Sequence, residues 1–207
     1  MTSESNPRLK AAEALMALLA DHGWSQISLA DVARQAGISL ADLRQSAPCK
    51  EALLPALSAE IDRKVLEGLD KNDETLPPRD RLFDVLMRRL EAMALYRPGL
   101  RRLAQEGVRA PLAGLAVACS IDRAMPWMLE AAGIGSSGLG GRIKAKALAA
   151  IYLSAVKVWL DDDAADLGKT MGALDKGFEM AGRLMKMVPA SFRDQFSQGS
   201  PKSSNGT

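Results

Sequence analysis

Few residues in this sequence have the types and spacing that catalysis or metal binding needs. His22 is the only histidine, and no serine, cysteine or aspartate is arranged with it like a catalytic triad. The aspartates at residues 161–163 are adjacent on one short loop, so they cannot all converge on one ion. The glycine-rich stretch at residues 133–141 follows no predicted strand, so we interpret it as a linker and not as a phosphate loop. The sequence therefore predicts no enzyme, no cofactor and no metal site.

A different set of residues, between positions 28 and 50, contains candidates for nucleic-acid contacts. Arginine and lysine contact phosphates and guanine, and serine and glutamine add polar contacts. Arg44 and Lys50 are the strongest candidates, with Ser39 and Gln45 as polar partners. The alternative is that each is a solvated surface residue. The candidate DNA-binding set is Ser28, Ser39, Leu40, Asp42, Arg44, Gln45 and Lys50.

The composition is typical of a helical protein of the cytoplasm. Hydrophobic residues make up 47% of the 207 residues, and aromatic residues only 4%. Because Ala, Leu and Met dominate, helix is favoured over sheet. Two cysteines, Cys49 and Cys119, form no disulfide framework, so a reducing cytoplasm is expected. Residues 1–10 contain no apolar signal-peptide core, and the apolar run at residues 110–119 is too short for a membrane span.

Hydrophobic periodicity and capping residues predict helices along the whole chain. Asn6-Pro7 begins the first helix, Ser28 and Ser39 precede the second and third, and Gly23 and Gly37 end the first two. The predicted helices cover residues 8–22, 29–36, 40–46, 49–71, 79–96, 98–106, 111–132, 141–160 and 166–187. The chain is therefore predicted to be all-α, with a small three-helix unit followed by a larger helical domain.

The first quarter of the chain resembles the TetR family of bacterial transcription regulators, without a gap from Leu9 to Leu54. The matching landmarks are Ala11-Ala12, Gly23, Asp31-Val32-Ala33, Ala36-Gly37-Ile38-Ser39, Leu43 and Lys50-Glu51-Ala52-Leu53-Leu54. The resemblance implies a TetR-like fold, a homodimer built on the last two helices, a DNA operator as partner, and control by a small, apolar ligand. The implied domains are a helix-turn-helix at residues 1–48 and a ligand-binding and dimerisation domain at 49–190, and we expect a disordered tail at 191–207.

The predicted recognition helix departs from the family's pattern. The family usually has a small residue and Thr where this chain has Ala41-Asp42, an aromatic residue where it has Arg44, and a His-aromatic pair where it has Ser46-Ala47. Asp42 suits the start of a helix but repels the DNA backbone. Residues 1–54 hold five Lys and Arg against six Asp and Glu, which is a poor electrostatic footprint for DNA.

The larger domain has the opposite charge balance and carries a second resemblance. Residues 79–109 contain eight arginines and four acidic residues, which suits an anionic ligand or surface as well as internal ion pairs. The motifs HGW at 22–24, YRP at 96–98, and ALAAIY and VWLDDDAADLGKTMGALD within 147–175 are similar to the TetR-fold lipid-binding accessory proteins of ubiquinone biosynthesis. That resemblance implies isoprenoid-lipid binding, little or no DNA binding, and peripheral membrane contact through a C-terminal amphipathic helix.

Apolar residues of the larger domain are candidates for a ligand cavity and a dimer interface. Methionine adapts to irregular apolar shapes, although ordinary core packing is the alternative. The candidate ligand residues are Met87, Met93, Met125, Trp127 and Met128. The candidate interface residues, small and aromatic side chains suited to a four-helix bundle, are Ile151, Tyr152, Ala155, Trp159, Leu174 and Phe178. The basic amphipathic segment at residues 183–196 suits a membrane surface or a docked helix end.

Overall fold

The computed structural model describes residues 6–69, 75–107 and 109–187, with side chains described through residue 184 of the last helix. Within these residues the chain forms nine α-helices and no β-strand, which confirms the all-α prediction. The predicted tail at 191–207 and most of the amphipathic segment at 183–196 lie outside the described residues.

The observed helices follow the predicted order. They are α1 (Pro7–Asp21), α2 (Leu29–Ala36), α3 (Leu40–Ser46), α4 (Leu54–Glu67), α5 (Pro78–Ala92), α6 (Arg97–Gln105), α7 (Pro111–Ala131), α8 (Gly138–Leu160) and α9 (Gly168–Met187). Short 3-10 turns lie at Trp24–Gln26, Glu51–Leu53 and Ala94–Tyr96. The fourth helix begins later than predicted because one of these turns precedes it.

The described residues fall into two compact units. The first comprises the described parts of residues 1–67 and 89–121, and the second those of residues 68–88 and 122–207. The boundaries of these compact units differ from those of the functional domains predicted at 1–48 and 49–190. The functional domains remain a prediction.

The first unit is organised around α1. Asn6 caps this helix by accepting the backbone N–H of Arg8 at 3.0 Å, as predicted from the Asn-Pro start. Leu15 and Leu19 of α1 are fully buried. Helix α6 packs closely on α1 at Gly99, where a Cβ atom would overlap the backbone carbonyl of Met16.

The second unit contains α8 and α9, which pack along each other. A Cβ atom at Gly177 would overlap the side chain of Ile151, so the two helices approach closely there. The buried Asp162 precedes α9 and accepts hydrogen bonds from the N–H of Thr170 at 2.9 Å and from its hydroxyl at 2.7 Å. This aspartate therefore stabilises the first turn of α9.

Candidate nucleic-acid interface

The helix-turn-helix of the first unit is formed by α2, the turn at residues 37–39 and α3. Gly37 ends α2 with φ 65°, a left-handed conformation that glycine adopts without steric cost. Its N–H donates to the carbonyl of Arg34 at 3.2 Å, and the N–H of Ile38 donates to Ala33 at 3.1 Å. Leu43 of α3 is 1% exposed, so α3 is anchored to the core by one face.

Ser28 caps the first turn of α2. Its Oγ accepts the N–H of Asp31 at 3.1 Å, and its own N–H and hydroxyl donate to the Asp31 carboxylate at 3.0 and 2.6 Å. Arg34 donates to the other carboxylate oxygen at 2.9 Å. These bonds lower the pKa of Asp31 to about 2, and the bond from the Ser28 hydroxyl contributes most. The polar atoms of Ser28 are thus engaged in capping.

Replacing Ser28 with alanine is expected to raise the pKa of Asp31 from about 2 toward its ordinary 3.8. Because the folded-state pKa lies below the ordinary value, the cap stabilises the protein above about pH 4, and this stabilisation is lost as the pH falls toward about 2. An NMR titration of the carboxyl carbon of Asp31 in both proteins measures the shift. Identical titration midpoints would show that Ser28 does not hold this carboxylate.

Ser39 forms a similar cap on α3. Its hydroxyl donates to the Asp42 carboxylate at 2.6 Å, and the N–H of Asp42 donates to Ser39 Oγ at 3.0 Å. Near the end of the helix, the hydroxyl of Ser46 donates to the carbonyl of Asp42 at 2.7 Å. Asp42 therefore stabilises the start of α3, as expected of an acidic residue in a first helical turn.

Lys50 has a structural role that sequence reasoning missed. Its ammonium donates to the carbonyl oxygens of Trp24 and Ile27, both at 2.6 Å, and lies 4.8 Å from the centre of the Trp24 ring. Partial burial lowers the pKa of Lys50 below its usual 10.5. Glu106, just after α6, holds the same turn by accepting the N–H of Trp24 at 2.8 Å. Lys50 thus fixes the turn that leads into α2.

The exposed side of α3 presents Leu40, Arg44 and Gln45. Leu40 is 55% exposed, and Arg44 has no hydrogen bond or ion pair to any other described residue. The helix-turn-helix of one chain is called a reading head below. A hollow of about 470 Å³ lies between its helices α2 and α3, and we call it the reading-head hollow. It is lined by Leu29, Ala30, Leu40, Ala41, Leu43, Arg44 and Ala47. Leu29, Ala30 and Ala41 are absent from the candidate set predicted from sequence. Their positions in the first turns of α2 and α3 could have indicated that they lie beside Leu40 and Arg44.

The four candidate ligand methionines are divided between the two units. Met125 and Met128 are fully buried and Met87 is half-buried, all in the second unit. Met93 is 7% exposed and belongs to the first unit, where its sulfur accepts a hydrogen bond from Arg89 at 3.6 Å.

Trp127 does not line the protein interior, which corrects the sequence-based expectation. The side chain is 60% exposed, although its neighbours Met125, Met128 and Leu129 are at most 3% exposed. In an α-helix, residues that recur at intervals of three and four share one face, and the buried residues of α7 follow that spacing. Trp127 is two residues away from Met125 and from Leu129, and it therefore lies on the opposite face.

Substituting Met128 and Trp127 separately by alanine should give very different losses of stability. Met128→Ala is expected to cost about 2–5 kcal/mol because it leaves a cavity in a buried core. Trp127→Ala should cost under about 1 kcal/mol because most of this side chain is already in water. Urea unfolding of the two variants measures both values. Equal losses would mean that Trp127 is buried in the protein in solution.

Four of the six candidate interface residues lie in the core of the chain itself. Tyr152, Ala155, Trp159 and Leu174 are at most 1% exposed. A side chain that its own chain buries is not available to a second chain, so these four are corrected to core residues. Ile151 and Phe178 are half-buried and remain candidates for an interface.

A different face of α8 and α9 is open and apolar. A groove of about 850 Å³ runs between the two helices, and we call it the α8–α9 groove. Six of its fourteen lining residues are alanine or glycine, and Met180 and Leu184, which also line it, are 60% and 59% exposed. Its lining residues are Ile143, Ala147, Ala150, Ile151, Ser154, Val158, Lys169, Gly172, Ala173, Lys176, Gly177, Met180, Ala181 and Leu184.

These features define an all-α protein with an N-terminal helix-turn-helix. Its fold is that of TetR transcriptional regulators. A TetR regulator from Nitrosomonas europaea ATCC 19718 superimposes with a TM-score of 0.65 and 21% identity, over 84% of this chain and 97% of that one. A TetR regulator from Rhodococcus sp. RHA1 gives 0.56 and 23% over 83% and 95%, and one from Streptomyces coelicolor gives 0.59 and 16% over 95% and 93%. No protein-family model matches the chain, and no curated protein matches it significantly.

Proposed function

We propose that the protein is a dimeric DNA-binding transcription regulator of the TetR type. The observation that carries this proposal is the recognition helix α3, which is capped at Ser39, anchored by Leu43, and presents Arg44 and Gln45 to solvent. Arginine can form two hydrogen bonds with guanine and glutamine two with adenine in the major groove. Both side chains are exposed on a helix that Ser39 caps and Leu43 anchors.

Electrostatic attraction contributes little to the proposed DNA binding. Three of the five basic residues within positions 1–54 are engaged: Arg8 and Lys50 with backbone carbonyls, and Arg34 with a carboxylate. Lys10 and Arg44 have no hydrogen bond or ion pair to other described residues. Since each neutralised phosphate steepens the dependence of affinity on salt, a shallow salt dependence is expected. Most of the affinity must then come from base contacts and from two reading heads acting together.

The second reading head would come from a second copy of this chain on the α8–α9 groove. Exposed apolar residues such as Ile143, Met180 and Leu184 would leave water on association. Alanine and glycine along the groove permit close helix approach, as in a four-helix bundle. Ile151, which lines the groove, and Phe178 are the two remaining members of the interface set proposed from sequence.

The ligand that controls such a regulator would be small and apolar. This part of the proposal rests on the buried Met125 and Met128, whose flexible side chains can rearrange around an apolar guest, and on Met87, a half-buried methionine of the same unit. A ligand that binds one arrangement of the dimer better than another would shift the DNA-competent population.

The proposed function is tested by DNA binding at low salt. Fluorescence anisotropy compares the region upstream of the protein's own gene with random DNA of equal length. Specific binding should be clearly tighter, and Arg44→Ala should reduce it by about 1–3 kcal/mol because a base contact is lost. Arg123→Ala is the matched control, since Arg123 is an exposed arginine of the second unit. Equal affinity for both DNAs would refute the proposal.

A second candidate function is lipid binding with little or no DNA binding. It is favoured by exposed apolar side chains on α7, where Leu112, Leu115 and Trp127 are 65%, 59% and 60% exposed. By length and composition alone α7 could also cross a membrane, with a mean hydropathy of 1.2 over 18 residues, but 39% of that window is buried inside the protein, so the exposed side chains alone support this candidate. Organic extraction of the purified protein, followed by mass spectrometry and by liposome flotation, tests this candidate. No co-purified lipid and no flotation would exclude it.

A further inference from the structure

The reading-head hollow has an unusual composition for a DNA-facing surface. Of its lining residues, Leu29 and Ala30 lie in the first turn of α2, and Leu40 and Ala41 lie in the first turn of α3. The buried Leu43 and Ala47 and the exposed Arg44 complete its lining. Apart from Arg44, the side chains that line it have no hydrogen-bonding atoms. The leucine and alanine side chains of this surface therefore cannot recognise bases through hydrogen bonds.

The polar residues around the hollow do not change this chemistry. The hydroxyl of Ser39 and the carboxylate of Asp42 are bonded to each other at 2.6 Å. The hydroxyl of Ser28 is bonded to the carboxylate of Asp31 at the same distance. Arg44 is the exception, with no hydrogen bond or ion pair to the rest of the described chain.

The major groove of DNA offers one apolar group that matches the hollow. Among the base edges exposed there, only thymine carries a methyl group, and alanine and other apolar side chains contact it in protein–DNA complexes. A hollow of about 470 Å³ has room for more than one methyl group. Leu40, 55% exposed, is the side chain with most apolar surface to lose to such a contact.

The position of Arg44 suggests a second base that the protein would recognise in its DNA site. Leu40 and Arg44 are four residues apart on α3, so they lie on the same side of the helix about 6 Å apart along its axis. That distance corresponds to about two base-pair steps of DNA. Arginine in the major groove favours guanine.

We infer that the reading-head hollow receives thymine methyl groups and that Arg44 reads a guanine about two base pairs away in each half-site. The inference rests on the proposed DNA-binding function and specifies which bases that function recognises. Leu40 is a specificity-determining residue in this account, because its apolar surface favours thymine over a base without the methyl group.

The first experiment selects binding sites for the full-length protein from random DNA at low salt. The expected result is a half-site with thymine and guanine separated by about two base pairs. The selected thymines are then replaced by uracil, which removes only the methyl group. Each replacement at a contacted position should weaken binding about fourfold, the value for exposing one buried methyl group.

The second experiment repeats the thymine–uracil comparison with Leu40→Ala. This variant should bind thymine and uracil sites almost equally, because the surface that contacts the methyl group is gone. Leu95→Ala is the matched control: Leu95 is 82% exposed in the same unit but lies between α5 and α6, so the fourfold preference should persist.

The outcomes separate this inference from the function on which it rests. Specific DNA binding that uracil does not weaken, or a preference that Leu40→Ala leaves intact, overturns the inference and leaves the regulator proposal standing. Absence of any selected sequence overturns both, and an apolar protein segment then becomes the better occupant of the hollow.

Discussion

Replacing Ala150 with glutamate is expected to convert the protein into a monomer that binds operator DNA about 100-fold more weakly or worse. Ala150 is an exposed residue of α8 that lines the α8–α9 groove with Ala147 and Ala173. If a second chain covers the groove, the new carboxylate must enter an apolar interface without a partner, which is strongly unfavourable. The loss of affinity follows because two linked reading heads bind a two-part site 100-fold or more better than one head alone.

Light scattering coupled to size exclusion and fluorescence anisotropy measure the two effects on the same samples. Ala164→Glu is the matched control, since Ala164 is an exposed alanine in the loop between α8 and α9 and does not line the groove. The control should remain dimeric and bind DNA like the unchanged protein. An Ala150→Glu protein that is still a dimer would place the interface elsewhere.

The helix-turn-helix could be predicted from sequence because its signals are local. Ser39 accepts the N–H of a residue three positions later, and Gly37 needs only its own left-handed backbone to end α2. Capping and chain reversal of this kind depend on neighbours within a few residues. The observed α3, Leu40–Ser46, has the bounds that these signals predicted.

The role of Lys50 could not be predicted in the same way. Its two carbonyl partners lie 26 and 23 residues earlier in the chain, so only the folded unit brings them to the ammonium. A lysine in a helix-turn-helix sequence suggests a phosphate contact by its charge alone. The sequence contains no local signal that the charge is already used within the protein.

The interface residues show a different limit of sequence analysis. Periodicity identifies which residues of a helix share an apolar face, but not whether that face meets its own chain or another one. Tyr152 and Trp159 are large aromatic side chains of such a face, and large apolar side chains gain most from burial in their own core, where both lie. The open α8–α9 groove is instead rich in alanine and glycine, which carry weaker hydrophobic signals.

Replacing Arg89 with methionine is expected to destabilise the protein by about 3 kcal/mol at pH 7, and by clearly less at pH 5. Arg89 of α5 is 1% exposed, and its guanidinium donates to the carboxylate of Asp62 at 2.9 Å and to the hydroxyl of Ser58 at 2.9 Å. Removing one member of a buried ion pair leaves the other charge poorly solvated. No other hydrogen bond or ion pair of the Asp62 carboxylate occurs within the described residues.

The dependence on pH follows from the titration of Asp62. Burial raises the pKa of this carboxyl above its ordinary 3.8, and the Arg89 charge opposes that effect. Without the arginine the folded-state pKa should rise further, so the folded variant binds a proton more tightly than the unfolded chain does. Its stability is then highest at low pH and is lost as the pH rises through the raised folded-state pKa.

Urea unfolding at pH 5 and pH 7 measures the difference between the Arg89→Met protein and the unchanged protein at each pH. Adding Asp62→Asn to the variant removes the titrating group, so the loss in the double variant should differ much less between pH 5 and pH 7 than the loss in the single variant. It should also recover part of the loss at pH 7, because no unpaired charge remains buried. If the single variant loses the same stability at pH 5 and at pH 7, Arg89 does not help to keep the Asp62 carboxyl group ionised.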